Sequence, residues 1–218
     1  MRIAVTGASG VIGRGVVVRL LSQGHDVVGL ARRQPESWPS AVSFVQNDIR
    51  DAAGVRQAVA GAEVVVHCAW AVNPGAVHPA DREINIDGTR NVLDAMTQSG
   101  TRRIVFASSA HVYGPDRGDT AAWCEADRLS PVSAEGLDKA RAEEMLAACG
   151  AEWVAIRAAA ILGRGVDNWV RGVLASAVFP DVDGSAGRNV QVVHSDDLAG
   201  KLSCHRPFRI EHGQTGGV

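Results

Sequence analysis

Short β-branched runs and helical patterns alternate along this chain almost from its first residue. "RIAVTG" precedes "VIGRGVVVRLLSQG", "DVVGLAR" follows, "VSFVQND" precedes "DAAGVRQAVAG", and "EVVVHCA" precedes "INIDGTRNVLDAMTQSG". "RIVFASS" then leads to "SAEGLDKARAEEMLAACG", and "EWVAIRAA" closes the series. Strands joined by helices of this length pair in parallel, because a right-handed crossover returns the chain to the same end of the sheet. The strands are apolar on both faces, as expected where helices cover both sides. Gly24, Gly61, Gly100 and Gly150 stand where helices should stop, and glycine there supplies the usual C-terminal turn. The expectation is an α/β fold, a doubly wound parallel sheet with helices on both faces, filling residues 1–202 as one domain. The tail 203–218, "SCHRPFRIEHGQTGGV", has no clear period and is expected to be irregular.

With 218 residues, 46% of them hydrophobic, the chain can bury one substantial core. Its 22 Lys and Arg against 24 Asp and Glu give a net charge of -2 with no basic stripe. That distribution argues against a nucleic acid or an anionic membrane as partner and favours a small molecule. Cys68, Cys124, Cys149 and Cys204 form no CxxC pair, which fits reduced thiols in a cytoplasm. Cys204, His205 and His212 do not complete a tetrahedral ligand set, so no metal is expected. The glycines and Arg14 interrupt the apolar N-terminus as a signal peptide, and no run reaches spanning length. A soluble, cytoplasmic protein is expected.

"VTGASGVIG" puts Gly7, Gly10 and Gly13 between the first strand and the first helix. The first two permit a tight turn and close backbone approach, and the third lets helix and sheet pack. Amides at the helix start then face a diphosphate. Ser9, Val11 and Ile12 lie in the same turn and complete the candidate cradle. A glycine pattern alone is weak evidence, but in this strand-to-helix context it marks a Rossmann-type dinucleotide site.

The GxxGxxG spacing, "DIRD" with Asp48, "VVHCAW", "NIDGTRNVL" with Asn85, "FASSAHVYG" with Ser109, the helix bearing Lys139, "IRAAAILGRG" with Arg157 and "VVHSDDLA" with Asp197 follow one another in order. Together they resemble the short-chain dehydrogenase/reductase superfamily, in particular its extended epimerase/dehydratase branch. The resemblance implies that Asp48 and Ile49 contact adenine, that Cys68, Ala69 and Trp70 line the cofactor, and that Lys139 bonds the nicotinamide ribose. Asn85 and Ala107 are further candidates for the cofactor site. It also implies a homodimer through the helices of residues 81–99 and 133–149. A sugar-nucleotide enzyme of this family would need a larger C-terminal substrate domain and a richer sequence than Ala158, Ala159 and Ala160 after Arg157. The substrate domain is expected to be reduced or absent.

At the end of the second strand Ala31 stands where an acidic residue would bind an unphosphorylated ribose, and Arg32 and Arg33 follow. A guanidinium can hold a phosphate in bidentate fashion, so NADP is favoured, with NAD as the alternative. The family's catalytic group is a Ser or Thr, a Tyr, and a Lys four residues later. Ser109 and Lys139 match two of the three, and Glu135 stands in place of the Tyr. Glu135 and Lys139 have the favourable i, i+4 orientation for a helix ion pair, and Glu143 extends the same charged face, so a solvated helix accounts for these residues without chemistry. Other proton donors remain open: His111, two residues past Ser109, Glu135 itself if desolvated, and less readily Tyr113, which reads first as a core or loop residue. The expected function is an NAD(P)-binding oxidoreductase or epimerase homologue with a degenerate site. The alternatives are a non-catalytic cofactor-sensing or partner-binding domain, or the N-terminal part of a larger protein.

Overall fold

In the computed structural model, residues 1–72, 79–115, 123–166, 191–203 and 215–217 are described, with residues 168, 171, 172 and 175. The strands β1 (Arg2–Thr6), β2 (Asp26–Ala31), β3 (Ser43–Gln46), β4 (Val64–His67), β5 (Arg103–Ser109), β6 (Glu152–Ala158) and β9 (Thr215–Gly217) form one sheet in the order β3-β2-β1-β4-β5-β6-β9. Each adjacent pair is parallel. A short second sheet pairs β7 (Ala160–Leu162) with β8 (Val192–His194). The doubly wound fold is the one the alternating pattern predicts.

The helices among the described residues include α1 (Val11–Ser22), α2 (Ala52–Val59), α3 (Pro79–Arg82), α4 (Gly88–Ser99), α5 (Ala134–Ala148) and α6 (Ser195–Leu202). A π-turn, Glu83–Asp87, links α3 to α4, and a 3₁₀ turn, Ala110–Tyr113, follows β5. Alternate strand residues feed two cores. Ala4, Val28, Val65 and Ile104 pack with α2, α4 and α5. Ile3, Val5, Val27, Val64 and Val66 pack with α1 and α6 on the other face. This is why the strand sequences are apolar at consecutive positions. Gly24, Gly100 and Gly150, just past α1, α4 and α5, all have positive φ, as does Gly61 after α2.

Strand order changes direction between β1 and β4. The two crossovers leave that point on opposite faces, so a crevice opens beyond the strand ends, which is where ligands bind in such sheets. Within the tail, whose residues 204–214 lie outside the described residues, Thr215–Gly217 is not irregular but adds an edge strand to β6, in register with Ala155 to Arg157. Backbone pairing along an open edge does not need an apolar pattern, so composition gave no sign of it. Cys204, His205 and His212 lie outside the described residues. Among the described residues no helix is long and apolar enough to cross a membrane.

Candidate functional site

The turn after β1 is built around backbone contact. Gly7 has φ +66, and a Cβ there would lie 2.6 Å from the Ala69 nitrogen on the exit of β4. A Cβ at Gly13 would lie 2.2 Å from the Gly7 oxygen. The turn is closed by Gly10 N donating to the Gly7 carbonyl at 2.9 Å, and Gly10 caps α1 without a side chain. No acidic residue stands in the first turn of α1, which leaves the helix start suited to an anion.

A cleft of about 460 Å³ opens above this turn. Gly7, Ser9 and Gly10 form one wall, Ala31 and Arg32 another, and Asp48, Ile49, Cys68, Ala69 and Trp70 complete it. Val11 and Ile12 begin α1 beneath the turn. Of the two arginines, Arg32 lines the cleft; Arg33 is exposed and does not. Asp48 accepts two bonds from the Arg50 guanidinium, at 3.0 and 2.9 Å. That bond, with the charges of Arg50 and Arg32, outweighs burial and holds its carboxyl below the usual range. Removal from water pushes the Cys68 thiol up to about 12. Asn85 lies behind the lining and clamps it: its side chain accepts from Ala71 N at 2.8 Å and donates to Ala71 O at 3.2 Å.

Below the cleft is a buried polar chain that the sequence reading missed. His67 is fully buried between Thr6, at 2.7 Å from Nδ1, and Thr89, at 3.0 Å from Nε2. The Thr6 hydroxyl oxygen accepts from Ala69 N at 3.2 Å, and the Thr89 hydroxyl donates to Asn85 O at 2.5 Å. Because the Thr89 hydroxyl donates to Asn85 O, it accepts from Nε2–H, and Nδ1 of the neutral ring accepts from the Thr6 hydroxyl. The available sign was two polar residues, Thr6 and His67, at the ends of otherwise apolar strand runs. Strand register then sets Thr6 opposite His67.

The candidate catalytic residues are brought together, with different partners from those expected. Ser109 ends β5 and caps the 3₁₀ turn, accepting from His111 N at 3.3 Å. Glu135 turns to His111, with Oε2 3.2 Å from Nδ1. Burial would raise the Glu135 carboxyl, but His111, Lys139 and Ser109 together hold it below its ordinary value. The same hydrogen bond raises the His111 imidazole. The i, i+4 pair with Lys139 is thus replaced. Lys139 is 5% exposed; its ammonium donates to Ala107 O and stands 3.7 Å above the Trp70 ring and 4.6 Å from that of Phe106. Burial lowers its pKa to about 7.

Glu143 is not on a solvated face either. It is 4% exposed and takes Arg157 Nε and Nη2 at 3.2 and 2.7 Å and Ser108 Oγ at 2.5 Å. Arg157 also donates to the Tyr113 hydroxyl at 3.0 Å, which keeps Tyr113 a buried core residue. A helix face read only for apolar spacing cannot show a carboxylate whose partner arrives from another strand.

A family model described as "NAD dependent epimerase/dehydratase family" matches residues 3–197. An uncharacterized protein of Mycobacterium tuberculosis is 52% identical over 197 residues, which is 90% of this chain and 19% of that protein. The L-arabinose 1-dehydrogenase (NAD(P)(+)) of Haloferax volcanii is 41% identical over 112 residues, covering 51% of this chain and 42% of its own. Among solved structures, the UDP-glucose 4-epimerase of Thermus thermophilus in complex with NAD superposes with a TM-score of 0.78 at 28% identity, covering 100% of this chain and 76% of that one. The chain therefore spans less than a fifth to about two fifths of the length of these curated relatives.

Proposed function

The chain belongs to the NAD-dependent epimerase/dehydratase family, and from that premise we propose that it binds NADP(H) in preference to NAD(H) and transfers hydride slowly, as a homologue whose proton-donating site is degenerate. The observation that carries the reading is the cradle at the β1–β4 switch point: Gly7 lies against Ala69 without room for a Cβ, and Arg32, beside the carboxylate-free Ala31, lines the cleft above it. Solved relatives hold NAD, which supports a dinucleotide here; the preference for the phosphorylated form rests on Arg32 and Ala31.

A bound nicotinamide supplies or accepts the hydride. The chain's own residues divide the remaining work. Backbone amides of the Gly7–Gly10 turn would hold the diphosphate, and Arg32 would meet a 2′-phosphate. Ser109 is the hydroxyl available to orient a substrate oxygen. Glu135 is kept ionised by His111, and a carboxylate is an acceptor that gives no proton to an alkoxide. A second reading, a cofactor-sensing or partner-binding unit without turnover, is favoured by Lys139, whose ammonium is already engaged by Ala107 and Trp70.

The test is loss of reduced-nicotinamide absorbance against a panel of carbonyl compounds. Wild type should be slow, and Glu135→Tyr should raise the rate by about 10²-fold, the low end of what a positioned general acid contributes. Fast wild-type turnover abolished by Glu135→Gln makes the glutamate the working acid and contradicts the degenerate reading.

A further inference from the structure

Trp70 lines the cleft, and its indole stands over the Lys139 ammonium, 3.7 Å from the ring centroid. Ser109, Glu135 and Lys139 are all outside the cleft lining. Gly7, Arg32 and Asp48 are among the residues that line the cleft, and backbone amides, a guanidinium and a carboxylate there suit an adenosine diphosphate.

We propose that Trp70 partitions the site: the indole leaves an adenosine-diphosphate compartment open and closes the passage to Lys139, so that the nicotinamide half of a dinucleotide gains its contacts only when the ring swings aside. This rests on the cleft being a dinucleotide site. Two independent features of the ring support it. Trp70 Nε1 is buried and finds no hydrogen-bond partner among the described residues, and a buried donor without an acceptor is costly, so this position of the indole leaves its polar atom unsatisfied. The ring is instead held by a cation–π contact to Lys139 and by Phe106, 5.6 Å away centroid to centroid. A nicotinamide ribose that bonds Lys139 competes for that same ammonium. The backbone beside the ring does not need to move, because Asn85 bonds both the amide and the carbonyl of Ala71. The displacement is therefore a side-chain rotation.

Trp70 then sets ligand selectivity. In wild type, ADP and NAD+ should bind within about 3-fold of each other by calorimetry, whereas a dinucleotide that used both halves would bind far more tightly than ADP. In Trp70→Ala, the affinity for NAD+ should rise by about 10-fold relative to that for ADP. A second measurement uses the unmodified protein: the Trp70 indole N–H resonance, assigned by its loss in Trp70→Phe, should shift on saturation with NAD+ and hold still with ADP. The proposal is overturned if wild type binds NAD+ at least about 10-fold more tightly than ADP, or if the indole resonance holds still on saturation with NAD+. If neither ADP nor NAD+ binds to either protein, the dinucleotide reading fails, and this proposal with it; binding of ADP with the wrong selectivity overturns the partition alone.

Discussion

His67 touches no solvent, yet it ties three pieces of the site together: Thr6 ahead of the glycine turn, the exit of β4, and the segment from Asn85 to Thr89 that clamps the cleft wall. Burial, with a smaller contribution from the Lys139 charge, lowers its imidazole from 6.5 to about 3. Between those values the unfolded chain takes a proton that the folded chain refuses. The stability contributed by neutral His67 is complete above 6.5 and is lost progressively as pH falls towards about 3. Urea midpoints followed over that interval should therefore fall more steeply for wild type than for His67→Gln, which removes this titration. Parallel curves would contradict the neutral assignment. The sequence named the neighbours of this residue, Cys68, Ala69 and Trp70, and passed over His67 itself, because a polar side chain at a strand end reads as exposed until register supplies its partners.

At the scale of the element, α5 was the hardest helix to read. Its buried residues, Gly136, Lys139, Ala142, Glu143 and Leu146, have helical spacing, so a buried face was present in the sequence, but two of its members are charged. What satisfies them comes from elsewhere: Ala107 and Ser108 on β5, Arg157 on β6, and the rings of Trp70 and Phe106. Periodicity carries no information about such distant partners. The Glu143–Arg157 pair is 5% exposed on both sides. Glu143→Ala strands a buried guanidinium and should cost about 3–5 kcal/mol in chemical denaturation. Glu143→Leu combined with Arg157→Met should recover most of that loss, since the apolar pair leaves no buried charge. A double variant no more stable than Glu143→Ala would show that the pair acts through something other than charge compensation. Strands β1 to β6 and helices α1, α2, α4 and α5, by contrast, were legible to within a few residues at each end, because their β-branched runs and terminal glycines agree with the packing on both faces of the sheet.

For the whole molecule, the sequence located the switch-point cleft through its glycines and the order of its motifs. It did not reveal that Trp70 would stand between that cleft and Lys139, which depends on packing between β4, β5 and α5. A homodimer through α4 and α5 is proposed from the family resemblance, and the exposed Leu137 on α5 fits it. Sedimentation at rising concentration should show a shift to the dimer mass, and a monomer throughout would dispose of it. The central claim is that the cleft is a dinucleotide site in which Arg32 replaces an acidic ribose partner. Calorimetric titration with NADP+ and NAD+ tests it most directly: NADP+ should bind about 10-fold more tightly to wild type, as expected when a guanidinium meets an added phosphate, and Arg32→Ala should bring the two affinities together. Equal affinities in wild type, unchanged by Arg32→Ala, would contradict it.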